Sequence, residues 1–239
     1  MKTSDKPPSG RRKTAAATSK RSTRPASTPG RSPRSSGGYH HGDLRRALLE
    51  ATEGLLEAAG VEGFTLREVA RRAGVSHGAP AHHFGDVRGL LSEFTAESFA
   101  QLAGAMRRRR SRAASAPFEQ LVACGVGYVE YALTNAARFQ LMFRSERLDW
   151  GRPALAAASS DALAELVECI ESIGRAAGAP VELDSDKIAL AWSMVHGFAT
   201  LLLDNRGFAA RVSAGSRARA LVSVQRMIES SRAAFERRA

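Results

Sequence analysis

Apolar residues recur along most of this chain at steps of three and four, the period of helices packed on one side. Leu44, Leu48, Ala51, Leu55 and Ala58 mark one face of a helix ending at Gly60, a residue suited to a helix C-cap. Leu66, Val69, Ala70 and Ala73 mark a second, shorter helix, and Thr65 with Glu68 has the spacing of a capping box at its start. Gly74 supplies the backbone freedom of a tight turn, and Ser76 is a good N-cap for a third helix. That helix would carry Ser76, His77, Gly78, His82 and His83, which are small or polar and unsuited to a core. If that helix starts at Ser76 or Gly78, Pro80 falls in its first turn, where most amides lack partners in any case.

The same period continues beyond Phe84. Leu90, Leu91, Phe94, Phe99, Leu102 and Met106 stripe a helix over about 86–110, closed by Arg107 to Arg110 near the negative pole of its dipole, a solvated end. Pro117 opens another, and residues 136–143 form a short segment. A polar stretch with Gly151 and Pro153 reads as a loop. Three more helices are predicted: an Ala-rich one over 154–177, one over 184–204 after the Gly178-Ala179-Pro180 break, and a last one over 216–235. No segment alternates with period two, so the predicted fold is all-α.

Two short helices joined by a tight turn, over residues 64–84, form a helix-turn-helix pattern, which places its second helix in the DNA major groove. An ordinary helical hairpin is the competing reading. Histidine can donate or accept at a base edge, so His77 and His82 are the candidates for direct readout, with Thr65, Arg67, His83 and Arg88 positioned for the DNA backbone.

Charge sharpens this picture. The formal net charge is +11, but residues 1–38 hold ten Lys or Arg against the single acid Asp5. That Ser-, Pro- and Arg-rich tail therefore carries +9 and the rest of the chain about +2. With almost nothing to bury it reads as disordered: either a DNA-contacting arm, which attracts polyanions without reading sequence, or a solvated leader or mis-assigned start. Cys124 and Cys169 have no metal or redox spacing, and a reduced, cytoplasmic protein is expected. No signal peptide is visible. The longest uncharged run, Ile188 to Leu203, is roughly 24 Å long as a helix, too short to span a bilayer comfortably, so no membrane partner is expected.

Thr65-Leu66-Arg67-Glu68-Val69-Ala70, Ala73-Gly74-Val75-Ser76 and His83-Phe84 together resemble the TetR family of bacterial one-component transcriptional regulators. Trp192, His196 and Gly197 look like the signature of the branch named for Trp-His-Gly, as do Tyr39-His40-His41-Gly42-Asp43-Leu44, Ala79-Pro80 and residues 138–143. The resemblance covers about 39–235. Two positions depart from it: Ala81 replaces an aromatic, and Val87 replaces a phosphate-contacting lysine, for which Arg88 is the substitute.

The resemblance implies three parts: the tail 1–38, a DNA-binding domain at 39–85 that includes Tyr39 and His40, and a ligand-binding and dimerisation domain at 86–239. It implies a homodimer built on the helices at about 184–205 and 216–235. It also implies a repressor released from a palindromic operator in double-stranded DNA by a small-molecule ligand. Phe139, Met142, Phe143, Trp192 and His196 are the expected ligand-binding residues; Trp192 and His196 share a helix face, with plain core packing and a buried hydrogen bond as the alternative. Neither cofactor nor metal is expected. Five of the six histidines lie in the DNA-binding region, and no Ser/His/Asp motif, metal spacing or Gly-rich phosphate loop is present, which argues against an enzyme. The rival function is an architectural protein coating DNA through its basic tail.

Overall fold

The ends of the first helices have local causes. The computed structural model describes residues 41–178, 185–204 and 206–237, and among these all regular structure is helical. The tail, Tyr39 and His40 lie outside the described residues, as does most of the predicted break at 178–180. Helix α1 (His41–Ala59) stops at Gly60, whose φ of +67° is left-handed and whose N–H returns to the Leu56 carbonyl at 2.9 Å. Helix α2 (Leu66–Ala73) starts at Thr65, whose hydroxyl accepts the Glu68 N–H at 3.3 Å. The capping box is half made, because the Glu68 carboxylate turns to Arg71 instead of reaching back. Gly74, at φ +68°, closes the helix by donating to the Ala70 and Arg71 carbonyls.

Helix α3 (Ala79–Phe84) corrects one expectation. Its N-cap is Gly78, not Ser76, and it has no side-chain cap bond. Residues 76–79 form a separate turn in which the Ala79 N–H donates to the Ser76 carbonyl at 3.1 Å. Pro80 explains the shift: with φ preset and no N–H to satisfy, it favours a helix that begins just before it.

Helix α4 (Val87–Arg110) starts at Asp86, whose carboxylate accepts the Gly89 N–H at 2.7 Å. It is the axis of the fold, packing on α1 and α3 at one end and on α5, α6 and α7 along its length. Buried Ser92 and Ser98 keep their hydroxyls satisfied on the Arg88 and Phe94 carbonyls at 2.7 and 2.8 Å. Its arginine end is not simply solvated. Arg109 forms a two-pronged pair with Glu130, and Arg107 and Arg110 both reach Glu165 at 2.7 Å.

The remaining elements are α5 (Pro117–Thr134), α6 (Ala136–Met142), a 3-10 turn (Ser145–Arg147), α7 (Pro153–Ala176), α8 (Ser185–Asp204), α9 (Arg206–Ser213), α10 (Arg217–Ser230) and α11 (Arg232–Glu236). Two of these differ from expectation. Helix α9 occupies a stretch with no predicted element, and the last predicted helix breaks at Ser231 into α10 and α11. At the break, the Ser231 hydroxyl bonds the Met227 carbonyl, Arg232 stacks over the Phe118 ring at 3.9 Å, and Phe235 is buried beside that ring.

One hydrophobic core runs from Leu48 to Phe235, continuous across position 85 through α4. Arg138 on α6 ties the two sides together. Buried, it lies over the Phe94 ring at 4.2 Å and grips Glu53 of α1 with two bonds of 2.7 and 2.8 Å. Among the described residues, no helix is long and apolar enough to cross a membrane.

Candidate functional site

Val69 and Ala70 of α2 and Pro80 and Phe84 of α3 are the residues these short helices bury. That packing turns the other face of α3 outward. Ser76, His77, Gly78, Ala81 and His82 are exposed, and so are Thr65 and Arg67 at the start of α2. His83 is half-buried between His82 and Phe84. His77, His82, Thr65 and Arg67 are therefore all open to solvent. Arg88 is exposed but has a partner that its position in the sequence does not suggest: it donates to the Leu148 carbonyl at 2.6 Å. Val87 is half-buried against the core. Arg45, at the start of α1, is also drawn inward, bonding Glu93 and Glu97 of α4 at 2.6 and 2.8 Å.

The loop between α6 and α7 meets this unit directly. Besides the Arg88–Leu148 bond, the Asp149 N–H donates to the Ser92 hydroxyl at 2.8 Å, and Arg147 pairs with Glu62 at 2.6 Å. Arg152, the last residue before α7, donates to the Phe84 carbonyl at 3.0 Å and so caps the end of α3. Gly89 is glycine for this reason: a Cβ there would collide with the Phe84 carbonyl and the Arg152 guanidinium. No sequence periodicity marks these contacts, since residues 57 to 85 positions apart make them.

The other side of the same loop borders a cavity of about 370 Å³ between α4, α5, α7, α8 and α10. Such a volume lies in the range of small-molecule sites. Ser145 and Trp150 of the loop line it, as do Met142, Phe143, Trp192 and Met194. Phe139 and His196 stand behind that wall. Phe139 is buried, 5.1 Å from the Phe143 ring, and His196 packs its ring 4.4 Å from Phe143. The His196 Nδ1 and the Tyr128 hydroxyl share a hydrogen bond of 2.9 Å, and Tyr128 itself faces the cavity. Burial pushes the His196 pKa down and the Tyr128 pKa up, so both are neutral near pH 7. Tyr128 escaped the sequence reading because it sits in the apolar stripe of α5, and only its bond to His196 singles it out.

Cys124, a lining residue, is raised well above its ordinary range by its bond with Cys169 and by burial, and both thiols are free. Among the described residues no group of side chains could hold a metal ion.

Known proteins match both parts. Residues 48–94 match the model of bacterial regulatory proteins of the tetR family. Residues 121–228 match the tetracyclin repressor-like C-terminal domain. The HTH-type transcriptional regulator BetI of Burkholderia mallei is 42% identical over 80 residues, 33% of this chain and 41% of BetI, so the match spans less than half of that relative. BetI 1 of Chromohalobacter salexigens is 35% identical over 91 residues, 38% of this chain and 45% of its own. A Rhodococcus protein of unknown function has a solved structure with a TM-score of 0.65 and 29% identity, covering 84% of this chain and 97% of that one. PfmR of Thermus thermophilus, a TetR family regulator, shares the fold with a TM-score of 0.53 at 21% identity, over 73% of this chain and 97% of its own. An outward helix-turn-helix, an all-helical cavity domain and family models matched in series over both lead to one assignment: the chain belongs to the TetR family of transcriptional regulators.

Proposed function

We propose that this protein is a repressor that binds a palindromic operator as a homodimer and is released when a small molecule fills the cavity. The observation that carries this reading is the loop at 144–152, which borders the cavity through Ser145 and Trp150 and grips the end of α3 through Arg152. A ligand that displaces Trp150 shifts the support of α3 and the start of α4. The family assignment supports DNA as the partner of the exposed α3 surface, where His77 and His82 read base edges and Thr65 and Arg67 hold phosphates. Tyr39 and His40, which lie outside the described residues, are proposed as further DNA contacts. The resemblance of Trp192, His196 and Gly197 to the Trp-His-Gly signature, with Trp192 at the cavity wall and His196 bonded to Tyr128, supports assigning both residues to the ligand site.

Dimerisation is proposed along α8 and α10. These helices leave Leu190, Leu201 and Val222 exposed in the single chain. Gly197 lies on the same α8 face as Leu190 and Leu201, with open space where a Cβ would stand. Two copies of α3 then read two half-sites about 34 Å apart.

The test is a quantitative footprint on DNA selected from the genome, with the dimer alone and after cavity occupancy. A single protected palindrome lost on ligand addition supports the proposal. Uniform protection of all DNA favours the architectural reading instead, with the basic tail as its agent.

A further inference from the structure

The cavity's walls bear on what it admits, and this step rests on the reading of the cavity as the effector site. None of its lining residues is Asp, Glu, Lys or Arg. The two titratable side chains that reach it, Cys124 and Tyr128, are both shifted toward their neutral forms. His196, behind Tyr128, is held neutral by its burial. The ion cluster nearest Cys124 is closed on itself, with Glu165 bound by both Arg107 and Arg110 at 2.7 Å. An ionised ligand would lose its hydration and meet no opposite charge.

The apolar wall has a chemistry of its own. Phe99 stands edge-on to Phe143 and to Trp150, with ring centres 6.1 and 6.2 Å apart. That packing offers flat and edge surfaces to a ring system. Of the hydroxyls among the lining residues, on Tyr128, Ser145, Ser159 and Ser160, that of Tyr128 is oriented by a bond to the His196 ring. Hydrophobic sites of this kind take their specificity from such oriented polar groups.

We propose that the cavity takes an uncharged, ring-containing hydrophobic molecule bearing one hydroxyl or carbonyl oxygen, which hydrogen-bonds to Tyr128. The chain reports on its own occupancy, because its two tryptophans, Trp150 and Trp192, both line the cavity.

The test titrates the full-length protein, without DNA, with three probes of one shape that do not absorb with tryptophan: 1-adamantanol, 1-adamantanecarboxylate and 1-adamantyltrimethylammonium. Tryptophan emission is the readout. The alcohol is expected to bind at least about tenfold more tightly than either ion, and Tyr128→Phe to weaken the alcohol about three- to tenfold while leaving the ions unchanged. Tightest binding by the ammonium, as an aromatic cage for cations would give, overturns the proposal. So does tightest binding by the carboxylate, or no saturable change with any probe. If Tyr128→Phe does not fold, the ranking on the natural chain decides. Alcohol binding that leaves operator affinity intact defeats ligand release while sparing the ligand class, so the two failures are distinguishable.

Discussion

His77 and Arg67 are both exposed, and substitutions separate the two duties proposed for them. Replacing His77 with Ala is expected to change sequence preference, costing about 1–3 kcal/mol on the operator and little on random DNA. Replacing Arg67 with Ala is expected to weaken all duplexes alike. Equal losses on both kinds of DNA for the His77 variant would remove it from base readout. Arg138 has a different duty, because its pair with Glu53 joins α6 to α1. Arg138→Ala leaves the half-exposed Glu53 without its partner and is expected to cost about 1–2 kcal/mol of stability, seen as a lower denaturant midpoint. The Arg138 guanidinium holds the Glu53 pKa below its ordinary 4.5. The stability this supplies is present above that value and lost as pH falls through the depressed one. His196 acts in the same direction at higher pH. Its folded pKa lies below the ordinary 6.5, so below about pH 6.5 the unfolded chain takes up a proton that the fold resists. Melting temperature is therefore expected to fall between pH 7 and 5, and to fall less steeply in His196→Asn.

At the scale of elements, the coupling loop is the part most open to substitution. Arg152→Ala removes the cap on α3 and leaves Trp150 at the cavity. It is expected to bind adamantanol normally while losing most of the ligand's effect on DNA. A variant that still releases DNA fully on ligand addition would place the coupling elsewhere, along α4 itself. How far these elements were legible in sequence follows from the kind of signal each one emits. α1, α2, α4, α5, α7 and α8 have long apolar stripes or strong caps, and that spacing predicts them to within a few residues. Of the two starts the sequence allows for α3, Ser76 is the better cap by composition, while Pro80, two residues after Gly78, decides for Gly78. Helix α9 is short, contains Gly207, and is fixed by tertiary contacts such as Phe208 against Phe198, 6.1 Å between rings. The arginine run at 107–110 looked solvated because its partners, Glu130 and Glu165, lie 21 to 58 residues away. Of the candidate site, the exposed histidines were legible. The division of labour at the cavity was not, since Phe139 and Met142 emit the same apolar signal, yet Met142 lines the wall and Phe139 does not.

On the scale of the whole molecule, the account needs a second copy of the chain. Val222→Arg and Leu201→Glu, together, place charges on the proposed α8 and α10 faces without entering the core. Light scattering is expected to give the monomer mass with helix content retained, and operator affinity is expected to collapse because one α3 reads only half a palindrome. A dimer that persists would move the interface off these helices. The most direct test of the central claim is the affinity of the dimer for DNA selected from random sequence, set against unselected duplex, at physiological salt. A palindromic consensus bound at least about a thousandfold more tightly is the result expected of an outward α3 reading base edges. Equal affinity for every duplex would contradict it.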